Sequence, residues 1–236
     1  MRFGEGQDMY MSSSRNATNW TMEKTDQLQD TVDIIFGTGG ASLLGLSFSL
    51  TIADPQLDGC PLIGCSTGFT ALCGYEMADI VGVNCRFLVD PVPAEQVDQE
   101  IRRRCRDFCL QAKEGKHDRD LSHQQDNWLP GNRPSNELIA MQMNARKDGT
   151  LFNSMFLMRS IGIGDFDDEK CYIIALQTEL PGGTTDLAML CQHLSQLDKN
   201  MAKVEKILAR DFIISGSMRR QDTEGHDNDI DEDLDL

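Results

Sequence analysis

The stretch Gly82-Val83-Asn84-Cys85-Arg86-Phe87-Leu88 is the most informative part of the chain. It places a cysteine between an amide and a guanidinium and then adds two large apolar residues. Cys85 supplies a polarisable nucleophile, and Arg86 offers a planar fork of five donors that suits a phosphate. Phe87 and Leu88 can form an apolar wall. A lone cysteine is usually a small buried hydrophobe, so the rest of the chain must show whether this segment lines a ligand pocket.

Further blocks lie on both sides of this motif in a fixed order. Upstream, residues 54–63 and 66–75 lead into the motif without a gap. Downstream, residues 144–152 contain an Asp-Gly turn of the type favoured in β-hairpins, and residues 173–177 end in a glutamine. Together these blocks resemble the core of LOV (light, oxygen, voltage) domains, which belong to the PAS superfamily. The resemblance covers most of residues 47–180.

The resemblance implies an α+β fold. It consists of a five-stranded antiparallel sheet with helices on one face, plus flanking N-terminal and C-terminal helices. Ser66 or Thr67 is a suitable cap for the first core helix, and a second helix is expected from Pro93 through Arg102. Short segments with strand character predict β-strands at residues 48–53, 62–65, 137–144, 152–161 and 169–179.

The other segments divide the chain around this core. An insertion at about residues 106–135, rich in polar residues, predicts a mobile surface loop within the domain. The complete division is a disordered segment at 1–25, a flanking helix and linker at 26–46, the LOV core at 47–180, a heptad helix at 184–214 and an acidic disordered tail at 215–236.

Composition and charge restrict the class of protein. With 236 residues, 40% of them hydrophobic, the chain can form one packed domain plus appendages. Its net charge of −16 argues against direct nucleic-acid binding, which needs clustered Lys and Arg. The cysteines lack metal-site spacing, no secretory signal is present, and no apolar run approaches the roughly 20 residues that span a membrane. We therefore expect no metal, no membrane and a cytoplasmic or nuclear protein.

The resemblance also implies a flavin in the pocket. Arg86 and Arg102 would clamp a terminal phosphate, and the short interval of 17 positions from Cys85 to Arg102 favours FMN over FAD. Asn144 and Gln177 would bind the polar edge of the ring, since a buried unpaired amide costs about 1–3 kcal/mol. The other expected cofactor contacts are Asn84, Leu88, Ile101, Ser154, Phe156 and Ile173.

Several positions depart from the family pattern. Where LOV domains usually have a threonine, an asparagine and a glutamine, this chain has Ala53, Cys60 and Val89. Ser154 replaces the second asparagine of the hairpin. Asn153, one step earlier, faces away from the flavin unless a bulge shifts the strand.

The activity implied by the resemblance is photochemical, and no enzyme is expected. Under blue light the Cys85 sulfur adds to flavin carbon C4a while nitrogen N5 takes a proton. Gln177 then rotates its amide and alters the last strand. The alternative is a PAS-type module that binds flavin for redox sensing or interaction without a photocycle. A flavin enzyme is disfavoured, because neither a nicotinamide-binding glycine fingerprint nor an acid–base pair accompanies the pocket.

A strict heptad seam follows the last strand. Its residues are spaced alternately by three and four: Leu187, Leu190, Leu194, Leu197, Met201, Val204 and Leu208. Such a helix either dimerises as a coiled coil or lies on the sheet of its own domain. A docked helix tends to have a broader apolar stripe, so the pattern favours a homodimer through residues 187–208. Its output would be a change of dimerisation or of binding to a protein effector.

Overall fold

The computed structural model describes residues 43–115, 129, 133–163, 170–182, 186–211 and 214–215. The predicted N-terminal segment and most of the flanking helix and linker lie outside the described residues. The acidic tail beyond residue 215 also lies outside them.

Five antiparallel strands form the centre of the domain. They are β1 (Ser49–Ala53), β2 (Leu62–Cys65), β3 (Glu137–Ala145), β4 (Leu151–Ile163) and β5 (Lys170–Leu180). Their order across the sheet is β2-β1-β5-β4-β3, so β5 lies at the centre. A two-residue strand, β6 (Ile214–Ser215), pairs with the end of β4. The predicted α+β fold with a five-stranded antiparallel sheet is confirmed.

Ser66 joins β2 to the first core helix, α1 (Thr67–Cys73), and ties both to β1. Its hydroxyl accepts the N–H of Phe69 at 3.2 Å as an N-cap and accepts the N–H of Leu50 at 2.9 Å. One buried serine therefore starts the helix and fixes its place beside the sheet. A short helix, α2 (Met77–Ile80), follows.

The helix predicted from Pro93 through Arg102 consists of two elements. A single 3₁₀ turn covers Ala94–Gln96, and a separate helix, α3 (Gln99–Lys113), follows it. The carboxylate of Asp98 accepts two backbone N–H groups of the first turn of α3, at 2.9 and 3.0 Å. The prediction of one continuous helix is wrong because Asp98 caps a new one.

The end of α3 also corrects the predicted insertion. This helix continues to Lys113, so residues 106–113 are helical and do not form a surface loop. Residues 116–128 and 130–132 lie outside the described residues.

The two faces of the sheet have different coverings. On one face, α1, α2 and α3 enclose a core whose buried members include Phe69, Ile80, Leu88, Phe108 and Ile173. On the other face lies one long helix, α4 (Leu187–Asp211). None of the described helices has both the length and the apolarity needed to cross a membrane.

The heptad seam of α4 packs on the sheet of its own chain. Six of its seven residues are at most 6% exposed; only Leu187, at 53%, is not. They share one cluster with residues of β1, β4 and β5, including Leu50, Ile52, Leu157, Ile174 and Leu176. The preference for a coiled-coil dimer through residues 187–208 is therefore corrected in favour of a docked helix. The reason is that these strands present a continuous apolar face that a single helix can cover.

Charged residues hold α4 at two points one heptad apart. The Glu137 side chain is fully buried and pairs with both Arg133 and Arg159. Arg133 also pairs with Asp198 at 2.6 Å, and Arg159 also pairs with Glu205. Both acidic partners belong to α4, so the buried Glu137 organises two arginines that in turn anchor the helix.

Arg159→Met should lower the free energy of unfolding by roughly 3 kcal/mol, because it leaves the buried Glu137 carboxylate with one cationic partner instead of two. Urea denaturation followed by circular dichroism measures the change. The matched control is Arg103→Met, which removes an arginine whose partners, Glu100 and Asp107, lie on the outer side of α3. Its stability should match that of the wild type. Equal losses in both variants would contradict a special role for the buried cluster.

Candidate functional site

A cavity of about 420 Å³ lies between the sheet and the helices on its first face. This volume falls within the range of sites for small molecules and cofactors. The floor is formed by side chains of β1, β3, β4 and β5. The walls are formed by α3, the loop after β1 and the 3₁₀ turn Cys85–Leu88. The lining is predominantly apolar, with amide side chains on the floor and cationic side chains along α3.

All but one of the predicted site residues line this cavity. They are Asn84, Cys85, Arg86, Leu88, Ile101, Arg102, Asn144, Phe156, Ile173 and Gln177. The exception, Ser154, is fully buried but is not part of the lining. Ala53, Cys60 and Val89 line the cavity as well, so these departures from the family pattern fall at positions that face the cavity.

Asn84 fixes the position of the reactive cysteine. Its Oδ1 atom accepts the N–H of Arg86 at 3.0 Å and thereby caps the 3₁₀ turn. Its Nδ2 atom donates to the carbonyls of Gly59 and Cys60 at 2.5 and 3.1 Å. The amide is committed to the backbone at both ends, so Asn84 joins the Cys85 turn to the loop between β1 and β2.

Cys85 faces the central strand across the cavity. Gln177 Nε2 donates to its Sγ atom at 3.8 Å. Burial raises the pKa of Cys85 to about 12, and the hydrogen bond from Gln177 opposes only part of this shift. The sulfur is therefore a protonated thiol at neutral pH. Three further thiols, those of Cys60, Cys105 and Cys109, line the same cavity.

The register of β3 and β4 decides which amides face the cavity. Asn144 pairs with Phe152 and Gln142 with Ser154, and the pairing between the two strands is continuous. Asn153 is paired with Met143 and lies on the opposite face, as predicted in the absence of a bulge. Gln142 lines the cavity, although the sequence did not single it out. The signal was available, because Gln142 is two residues from Asn144 and a strand has a period of two.

Cationic side chains cluster where α3 borders the cavity. Arg86 and Arg102 were expected here, and Arg106 and Lys113 also line the cavity. Arg102 lies 3.6 Å from the Asp90 carboxylate. The four-residue spacing of Arg102 and Arg106 on one helix face could have revealed the second of these two arginines.

Comparisons with known proteins agree with this geometry. The chain is 27% identical over 180 residues to Blue-light-activated histidine kinase 2 of Erythrobacter litoralis (strain HTCC2594). The aligned region covers 74% of this chain and 41% of that kinase, so the chain spans less than half of the relative's length. No family model matches the chain.

Solved LOV structures are similar as well. The LOV domain of the Erythrobacter litoralis EL346 blue-light-activated histidine kinase is 27% identical, with 57% of this chain and 97% of that chain covered and a TM-score of 0.41. The light-state LOV domain of the blue-light photoreceptor Aureochrome1 is 22% identical, with 57% of this chain and 82% of that chain covered and a TM-score of 0.41. TM-scores of this size do not establish a common fold by themselves. The antiparallel order β2-β1-β5-β4-β3, with helices packed on the sheet, is the observation that carries that conclusion. The domain has the LOV fold.

The cavity of this LOV-fold domain fits a flavin. A flavin combines a flat apolar ring, a polar ring edge and a phosphate, and the cavity offers apolar walls, floor amides and nearby cations. Among the described residues, both polar atoms of the Gln142 amide, the Gln177 Oε1 atom and the Ser154 hydroxyl lack a hydrogen-bond partner. Buried polar groups normally have partners, so the atoms of Gln142 and Gln177, which line the cavity, indicate a polar ligand. The same described part of the chain contains no cluster of His, Cys, Asp and Glu suited to a metal.

Asn84→Ala should destabilise the LOV domain by about 1–3 kcal/mol, because two carbonyls and one N–H lose their partner. Asn84→Asp keeps an oxygen that accepts the N–H of Arg86, but it replaces the Nδ2 donor by a second carboxylate oxygen that faces the carbonyls of Gly59 and Cys60. It should therefore be at least as destabilised as Asn84→Ala at neutral pH. Urea denaturation of both variants gives the comparison. An aspartate variant as stable as the wild type would show that donation to Gly59 and Cys60 is unimportant.

Proposed function

We propose that this chain is a blue-light sensor in which a flavin occupies the cavity and Cys85 bonds to it reversibly. The observation that carries the proposal is the contact between Gln177 Nε2 and Cys85 Sγ, at 3.8 Å, in a cavity that is also lined by Gln142, an amide without a hydrogen-bond partner among the described residues. This contact joins a nucleophilic sulfur to the central strand of the sheet.

The protonation state of Cys85 suits this chemistry. A bound flavin supplies the absorption of blue light and an electrophilic ring carbon, C4a. Because the pKa of Cys85 is raised to about 12, the thiol carries its own proton at neutral pH. With the flavin bound, Sγ would bond to C4a and the thiol would give its proton to ring nitrogen N5. In the dark Sγ would take the proton back as its bond breaks, so the cycle would release no product.

FMN is the flavin that we propose. Its single terminal phosphate matches the pair of Arg86 and Arg102, which both line the cavity. FAD is the alternative, and Arg106 and Lys113 are the side chains that could meet its second phosphate. Chromatography of the flavin released by heat distinguishes the two, and a yield of mainly FAD would overturn the preference.

Gln177 is placed to pass the change at Cys85 to the other face of the sheet. Its neighbours along β5 point away from the cavity, as alternation in a strand requires. Leu176 packs in the cluster that contains the α4 seam, and Thr178 Oγ1 lies 3.5 Å from Nδ1 of His193 on α4. If a bound flavin presented a donor at N5, Gln177 would turn its amide to present oxygen, and this reorientation would alter the strand under α4.

The proposed output is a weaker docking of α4. Release of the helix would expose the apolar heptad seam to another helix, either of a protein effector or of a second copy. By its name, the bacterial relative is a histidine kinase activated by blue light. For this chain we propose only that an effector protein binds the released helix. We propose no enzymatic activity for the described domain.

Blue light should reversibly bleach the flavin absorption of the purified protein. Cys85→Ala should retain the flavin and lose the bleaching, because no sulfur can then reach C4a. Absorption spectra before and after illumination test this. The control is Cys105→Ala, which removes another cavity thiol whose pKa burial also raises to about 12, and it should bleach normally. Bleaching in Cys85→Ala would overturn the assignment, whereas a bound flavin that never bleaches in wild type would favour the module without a photocycle.

The extent of bleaching should be constant between about pH 6 and pH 9. An ordinary cysteine has a pKa near 8.5 and would ionise within this interval, but Cys85 stays protonated because burial raises its pKa to about 12. The bleached fraction under fixed illumination, measured across the interval, tests the protonation state. A rise that follows an ionisation near pH 8.5 would show that a thiolate is the reacting form.

A further inference from the structure

Gln142 is a buried amide on β3 that faces the cavity. Its side chain is 6% exposed and lines the cavity. Neither its Nε2 donor nor its Oε1 acceptor has a hydrogen-bond partner among the described residues. A buried amide whose donor and acceptor are both unpaired costs free energy, so a ligand that pairs with it would compensate that cost.

The surroundings of Gln142 show which ligand group it would meet. Directly opposite Gln142 on β4 lies the fully buried Ser154, whose hydroxyl likewise has no hydrogen-bond partner in the described part of the chain. Two residues along β3 lies Asn144, on the same face. Phe156 and Gln177 form the adjacent cross-strand pair, and both line the cavity. Gln142 therefore lies on the cavity floor between Asn144 and Gln177, the two amides that the sequence predicted there.

We propose that Gln142 contacts the flavin and supplies an amide from β3 that replaces the one missing from β4 at Ser154. This inference rests on the proposed function. The pyrimidine edge of a flavin alternates carbonyl acceptors with an N–H donor, and one amide can both donate to and accept from such an edge. A serine hydroxyl is too short to act as a substitute. The longer glutamine side chain can reach the ring from the neighbouring strand.

The test replaces the amide by a side chain of similar shape. Gln142→Met should weaken flavin binding by about tenfold, as expected for the loss of one net hydrogen bond or slightly more. The infrared carbonyl stretches of the bound flavin should shift to higher frequency. The apoprotein, by contrast, should melt at a higher temperature than wild-type apoprotein, because two unpaired buried groups are removed. Met141→Leu, on the same strand but packed against the opposite core, is the control and should leave flavin binding and the carbonyl stretches unchanged.

A second experiment supplies the amide from the other strand. In the background Gln142→Ala, which makes room, the additional change Ser154→Asn should restore most of the flavin affinity that Gln142→Ala loses. Unchanged affinity and unchanged carbonyl stretches in Gln142→Met would overturn the inference. A less stable Gln142→Met apoprotein would overturn it too, since it would show a structural role. A wild-type protein that binds no flavin would overturn the proposed function together with this inference. If the wild type binds flavin but Gln142→Met leaves the affinity and the carbonyl stretches unchanged, only this inference is overturned.

Discussion

The alternation of side chains along β5 is the constraint on which the rest of the structure depends. Successive residues of a strand point to opposite faces of the sheet. Gln177 therefore meets Cys85 in the cavity, while Leu176 and Thr178 face α4. Because β5 is hydrogen-bonded to β1 on one side and β4 on the other, the strand is both the floor of the ligand site and the platform for the helix.

The two faces of this sheet are stabilised in different ways. Under α4 the residues are apolar and well buried, and the anchoring charges at Glu137 are paired within the chain. On the cavity face several polar atoms lack a partner within the described chain. A ligand that pairs with them binds the folded state and stabilises it by mass action. The cavity face is thus the part of the fold whose stability depends on its ligand.

Much of the cavity lining and most of the strands could be predicted from the sequence. The resemblance to LOV domains, carried by the motif around Cys85 and the blocks up to Gln177, predicted the residues that meet in one cavity, and the strand patterns predicted the sheet. The break before α3 was missed because a single carboxylate, Asp98, outweighed an otherwise helical pattern. The docking of α4 could not be decided from its heptads, since a coiled coil and a sheet bury the same stripe. Gln142 was overlooked, although the period of two along β3 places it on the same face as Asn144.

Hydrogen exchange of the α4 backbone, in the dark and under blue light, tests most directly whether the sheet connects Cys85 to the helix. The wild-type protein should exchange faster along α4 in the light. Gln177→Leu should still bleach, because Cys85 is intact, but its α4 exchange should be the same in light and dark. Identical exchange in both states of the wild type, or a wild-type response in Gln177→Leu, would contradict transmission through β5.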